Sequence, residues 1–264
     1  MIKDLNNAWR KTASTLYKKP EDSKILGSVE LDITDLQEYI NKKRKEGLKI
    51  TLTHFFTLAT ARAINDKLPE LNTYIKRGNV KSYDDINATV SVLLRENEMG
   101  SVKIDKVNTL SFSDLVPILN TKIKEARKGT ENGTMKLKET MASIPWPFRN
   151  LFYWFIRKML VDWGLSIGGI SANDMGSYIV SNIGSLGLDT GYPALFPATN
   201  VSFVLIMGGV KKTPLVIDDE VKIRTVITLA AALDHRVVDA SHAGILFKYY
   251  KSIVKTPELL EDKP

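Results

Sequence analysis

The chain has 264 residues, 44% hydrophobic and 25% charged, with a net charge of +7 at neutral pH. That length holds one large domain or two small ones. It has no cysteine, which excludes disulfides, thiolate metal sites and a cysteine nucleophile. With three histidines, a histidine-rich metal site is not expected either. The first residues, MIKDLNNAWRK, hold no apolar core of signal-peptide length, so a cytoplasmic protein is expected. The KKRK cluster at 42–45 reads as a solvated helix end, and no nucleic-acid motif accompanies it. The modest positive charge suits an anionic small molecule, such as a coenzyme with phosphates.

Neither an internal repeat nor a low-complexity linker interrupts the chain. SVELDI at 28–33 alternates like a strand. Thr34 then reads as the N-cap of a helix to about Lys45, stopped by Gly47. A second helix is expected over 51–68, with Phe55, Leu58, Ala59, Ala63 and Ile64 at helical spacing and Pro69 at its end. Residues 72–75 and 88–94 read as strands, and Ser111 or Ser113 caps a helix to about Lys128. Residues 125–143 are polar and read as a helix end plus loop. The run IPWPFRNLFYWFIRKMLVDWG at 144–164 follows. Phe148, Leu151, Phe152, Phe155, Met159 and Trp163 share one helical face, and core packing is the first expectation for them. A lid over a lipophilic substrate, an oligomer contact and docking at a membrane surface are the alternatives. Its charges and length argue against a membrane span. The last third is rich in strands: 178–182, 201–207 closing on Gly208-Gly209, and a hairpin of 214–217 and 221–233 about Asp218-Asp219-Glu220. Asp239 or Ser241 caps the final helix, whose buried stripe is Ala243, Leu246, Phe247, Tyr250 and Val254.

The densest ionisable cluster, LDHRVVDASHA at 233–243, follows the uncharged run TVITLAAAL. It falls at the junction of a long buried strand and a helix, where side chains reach ligands from a fixed backbone. His235 is the best candidate base, since imidazole takes and returns protons near neutrality. Asp239, four residues on, could orient it or bind an arginine, and Arg236 offers a fork of donors. A structural ion pair is the competing reading of this cluster. His54 and His242, each at the head of a helix, read as structural or solvent-facing. In SYIVSNIGSLG at 177–187, Ser181 ends a strand and could donate to a developing oxyanion. Gly184 and Gly187 could let a substrate approach the backbone. A turn without function is the alternative there.

DHRVVDA resembles the DHRxxDG signature of the acyltransferase catalytic domain of 2-oxo acid dehydrogenase complexes (dihydrolipoyl acyltransferases), in the superfamily of chloramphenicol acetyltransferase. SVELDITDLQEYI, LTHFFTLATARAINDKLPELNTYI, SYIVSNIGSLG and KYYKSIVKTPELL resemble further segments of that domain, in order over residues 28–260. The resemblance implies an α/β fold, an α+β two-layer sandwich of chloramphenicol acetyltransferase type with a mixed β-sheet and packed helices. It implies homotrimers with active sites between subunits. The position of His235 is then the general base, and that of Ser181, from the neighbouring subunit, stabilises the oxyanion. Asp239 is mainly structural and pairs with an arginine, for which Arg10 is a candidate; Arg236, Asn182 and Gly184 support the site. Coenzyme A or acyl-CoA enters as substrate, or a lipoyl domain delivers the acyl group in trans. No lipoyl group on this chain, no metal and no nucleic acid are expected.

The chain departs from the pattern at three places. Ala240 replaces the usual glycine, harmless if it is helical. The run NATVSVLLRENEMGSVKI lacks the family's glycine-leucine-valine-valine-proline segment, near where the family binds its acyl donor or acceptor. Residues 135–170 look like an insertion. A single catalytic domain over 1–264 is expected, without a lipoyl or subunit-binding domain, and the polar LLEDKP tail points to a free trimer. The competing functions are a non-catalytic trimeric scaffold and a small-molecule O-acetyltransferase of chloramphenicol acetyltransferase type.

Overall fold

The computed structural model describes residues 23–95, 98–128, 143–145, 148–166 and 169–261. In chain order the elements are β1 (Lys24–Asp32), α1 (Thr34–Lys45), α2 (Leu52–Asp66), β2 (Thr73–Lys76), β3 (Asn79–Ser82), β4 (Ala88–Arg95), β5 (Glu98–Ile104) and α3 (Phe112–Arg127). After them come α4 (Phe148–Arg157), β6 (Tyr178–Asn182), β7 (Phe203–Ile217), β8 (Glu220–Asp234) and α5 (Ala240–Ile253). Six strands form one mixed sheet in the order β1-β8-β7-β6-β4-β5, and β2 pairs with β3 in a separate hairpin. β4, β6 and β7 are mutually parallel, and the remaining pairs are antiparallel.

Helices α1, α2, α3 and α5 cover one face of this sheet. That layering explains the uncharged run before the ionisable cluster. From Val226 onward β8 lies inside the sheet with residues buried on both faces, so this half of the strand carries no charge before Asp234. Ile227, Leu229, Ala231 and Leu233 join the core beneath the helices, while Ala230 and Ala232 pack on the opposite face with Leu195, Val201, Val204 and Ile206. α2 is the central helix, buried from His54 to Ile64. Two hydrogen bonds tie it to its neighbours in the core: the Tyr250 and Thr60 hydroxyls lie 2.6 Å apart, and Tyr178 donates to the Thr57 carbonyl at 2.6 Å. Either hydroxyl left buried and unmatched would cost about 1–3 kcal/mol.

Several element ends follow local chemistry. Thr51 and Ser111 are the N-caps of α2 and α3, each accepting from the third helical N–H. Thr34 is the first residue of α1 rather than its cap. The Asp32 carboxylate accepts from both the Thr34 N–H and hydroxyl, and Arg224 of β8 donates to it at 2.6 Å. Burial opposes ionisation of Asp32, but these donors outweigh it and hold the carboxyl below its usual range. β7 starts at Phe203 and runs on through Gly208-Gly209 to Ile217, with a register shift between Met207 and Val210. Asp218 and Asp219 both take positive φ in the two-residue hairpin turn.

The aromatic run departs most from expectation. Residues 148–157 do form a helix, but none of them is buried. Core packing is therefore overturned for this helix. Helical periodicity shows which residues share a face, not whether anything covers that face. Burial resumes at Leu160 and Val161, in the turn after α4.

Candidate active site

Residues 233–239 leave the end of β8 and enter α5. Asp234 and Arg236 are 5% and 7% exposed and pair with each other: the Arg236 Nε donates to Asp234 Oδ1 at 2.9 Å and its Nη2 to Oδ2. Arg236 is thus a structural brace at the strand end, fixing the turn that carries His235. The His235 backbone N–H donates to the Ser23 carbonyl at 2.6 Å, tying that turn to the start of β1. Ala240 is the first residue of α5, outside the positive-φ region, so its replacement of glycine adds no strain.

The three histidines divide by the direction of their Nδ1 hydrogen bonds. His54 Nδ1 accepts from the Thr51 N–H at 3.2 Å, and His242 Nδ1 accepts from the Asp239 N–H at 3.0 Å. Both are helix caps, with the ring proton left on Nε2. Burial pushes His54 down to about 4. His235 does the reverse. Its Nδ1 faces the Val238 carbonyl at 3.0 Å and Asp239 Oδ1 at 3.4 Å, and both are acceptors. Nδ1 must therefore donate, and in the neutral imidazole the lone pair stands on Nε2, on a side chain 30% exposed. The Val238 carbonyl was not legible as a functional group, because a backbone oxygen has no signature in a sequence.

Ser181, Asn182 and Gly184 lie elsewhere. Ser181 pairs in register with Ile206, and Ile206 with Ala230. Five residues of β8 and two strand spacings therefore separate Ser181 from His235, about 17 Å along the strand and about 10 Å across it. One chain does not bring the two together. Ser181 points to the sheet face away from the helices, with Ile179 and Ile183. It is 8% exposed, and its hydroxyl has no hydrogen-bond partner among the described residues. The Asn182 carbonyl accepts from the Ser185 hydroxyl at 2.9 Å, closing the turn after β6. Gly184 does not open the backbone to a substrate: a Cβ there would stand 2.5 Å from the Gly208 carbonyl oxygen, so the chain's own strand fills the space. Gly187 takes φ +80° with open space about it. Arg10 lies outside the described residues. No cluster of three or more His, Asp or Glu side chains suited to a metal occurs among the described residues.

Residues 168–261 match the model of the 2-oxoacid dehydrogenases acyltransferase (catalytic domain). Over nearly the whole chain the structure resembles a probable dihydrolipoamide acetyltransferase from Listeria monocytogenes, with a TM-score of 0.67 at 21% identity over 94% of this chain and 88% of that one. The fold is that of the 2-oxo acid dehydrogenase acyltransferase catalytic domain. A second neighbour is the dihydrolipoamide acetyltransferase of Azotobacter vinelandii, studied for the role of a serine, a histidine and an asparagine in its catalytic mechanism (TM-score 0.64, 15% identity, 95% and 87% covered). A chloramphenicol acetyltransferase shares the architecture (TM-score 0.52, 16% identity, 97% and 99% covered). In sequence, the lipoamide acyltransferase component of the branched-chain alpha-keto acid dehydrogenase complex of Bacillus subtilis is 25% identical over 86% of this chain and 46% of its own length. The chain spans about half the length of the curated relatives it matches.

Proposed function

We propose that the chain moves an acyl group between a thioester and a thiol or other acceptor, at a site completed by a second copy of the chain. The observation that carries this reading is the orientation of His235: Nδ1 is occupied by the Val238 carbonyl, so in the neutral imidazole Nε2 is the basic nitrogen, at an accessible strand end. The acceptor X–H gives its proton to Nε2 while X attacks the thioester carbonyl carbon. The carbonyl π pair moves to oxygen, and a hydroxyl donor steadies that charge. Collapse expels the thiolate, and the Nε2–H proton goes to the leaving sulfur. No metal and no covalent enzyme intermediate enters this balance.

Ser181 is the donor this reading assigns. Its hydroxyl is nearly buried and unmatched within the described chain, and it is too far from its own His235 to serve it. A neighbouring subunit in a homotrimer would supply it. The Azotobacter protein supports the pairing of roles: the histidine and asparagine studied there are four positions apart, as His235 and Asp239 are here. Asp239 then acts as a positioning residue beside Nδ1. Coenzyme A thioesters and a dihydrolipoyl group supplied in trans are the donors this chemistry fits, and the net charge of +7 favours the phosphates of the former.

The test is acceptor-dependent thiol release from acetyl-CoA and longer acyl-CoAs, with dihydrolipoamide as acceptor. His235→Ala is expected to lower turnover at least about 10²-fold, the scale of a lost general base. Unchanged turnover in that variant sinks the mechanism.

A further inference from the structure

From Phe148 to Phe155 every side chain of α4 is exposed, with Phe148 at 65%, Leu151 at 64% and Trp154 at 51%. Phe148, Leu151, Phe152 and Phe155 share one face, while Arg149, Asn150 and Arg157 lie opposite or beside it. A continuous apolar stripe of this size on a surface calls for a partner.

The charge about the stripe selects that partner. Asp162 is the only acid between 148 and 163, against Arg149, Arg157 and Lys158. The end of α4 is tied to the β2–β3 hairpin: the Arg77 N–H donates to the Asp162 carbonyl at 3.2 Å, and Lys76 lies across Gly164. That hairpin, TYIKRGNVKS, brings Lys76, Arg77 and Lys81 and no acid. A second copy meeting α4 would bring a surface of the same +7 chain against this cationic rim. An anionic bilayer meets both demands, since its acyl region accepts the aromatic stripe and its headgroups face the cations. Trp154, Tyr153 and Trp163 suit the boundary between the two.

We infer that α4 lies in the plane of an anionic membrane surface, with the β2–β3 hairpin seated on the headgroups. The helix is too short to span, and no helix among the described residues is long and apolar enough to do so. This docking goes beyond the acyl-transfer reading and stands or falls without it.

The test uses the full chain in flotation with phosphatidylcholine vesicles and with about 7:3 phosphatidylcholine–phosphatidylglycerol vesicles. Binding is expected to the second alone, falling as salt rises, with a blue shift of tryptophan emission. Phe152→Ser with Phe155→Ser, at exposed positions where folding is not at stake, is expected to abolish it. Lys81→Gln and Lys158→Gln are each expected to weaken it about fivefold. His235→Ala is expected to bind like the wild type, which separates this inference from the catalytic one. Absence of binding to either vesicle overturns it. So does a change of oligomeric state in the double Ser variant without loss of vesicle binding, which would assign the stripe to a second copy.

Discussion

The two ends of the sheet are built on different terms. At the end where β8 meets α5, described residues of one chain secure the turn. Asp234 and Arg236 brace the turn, Ser23 holds its backbone, and Val238 fixes the tautomer of His235. At the far end, β6 delivers Ser181 to a nearly buried position and gives its hydroxyl nothing to bind among the described residues. The first end holds its own candidate base in place, whereas the second offers a hydroxyl that no described residue engages.

Variants at the two ends should therefore fail in different ways. The largest effect is expected from Arg236→Met, which leaves the buried Asp234 carboxylate without its partner. Urea denaturation should show a loss of about 3–5 kcal/mol. A loss below about 1 kcal/mol would mean that the brace is not what holds the turn. Ser181→Ala should leave stability nearly unchanged, since it breaks no bond within the described chain, yet cut kcat about 10²–10³-fold. Loss of stability matched by an intact kcat would reverse that contrast.

His54, buried at the head of α2, gives a test of the core by pH. Its folded form holds the imidazole neutral down to about pH 4, while the unfolded chain protonates near 6.5. Its contribution is whole above pH 6.5 and is lost as pH falls toward 4, by up to about 3 kcal/mol. Denaturation midpoints of the wild type across that window should fall more steeply than those of His54→Gln; parallel slopes would remove His54 from the account. The smallest effect is expected from Asp239→Asn. Nδ1 keeps the Val238 carbonyl, so kcat should drop less than about tenfold. A drop as large as that of His235→Ala would make Asp239, not the carbonyl, the group that holds the base.

The sequence made the strand–helix junction legible because its signals are local. Apolar residues run up to Asp234, Asp239 caps α5, and DHRVVDA resembles an acyltransferase signature. Tyr178–Asn182 and the cap at Ser111 were readable for the same reason. The roles of Val238 and Gly184 were not. One acts through a backbone oxygen, and the other is required by contact with Gly208, distant in sequence. The face of α4 has the spacing of a core helix, such as α2, and only the tertiary structure shows that its residues stay unburied.

The central claim is that His235 of one chain works with Ser181 of another, and mixing inactive variants tests it most directly. His235→Ala and Ser181→Ala proteins are unfolded together, refolded as mixed assemblies, and assayed for acyl transfer against each variant refolded alone. Random assembly into closed rings leaves about a quarter of the interfaces with both side chains intact, so activity should return to about a quarter of the wild-type level. A mixture shown by mass to contain both chains, yet no more active than its parents, would contradict the account.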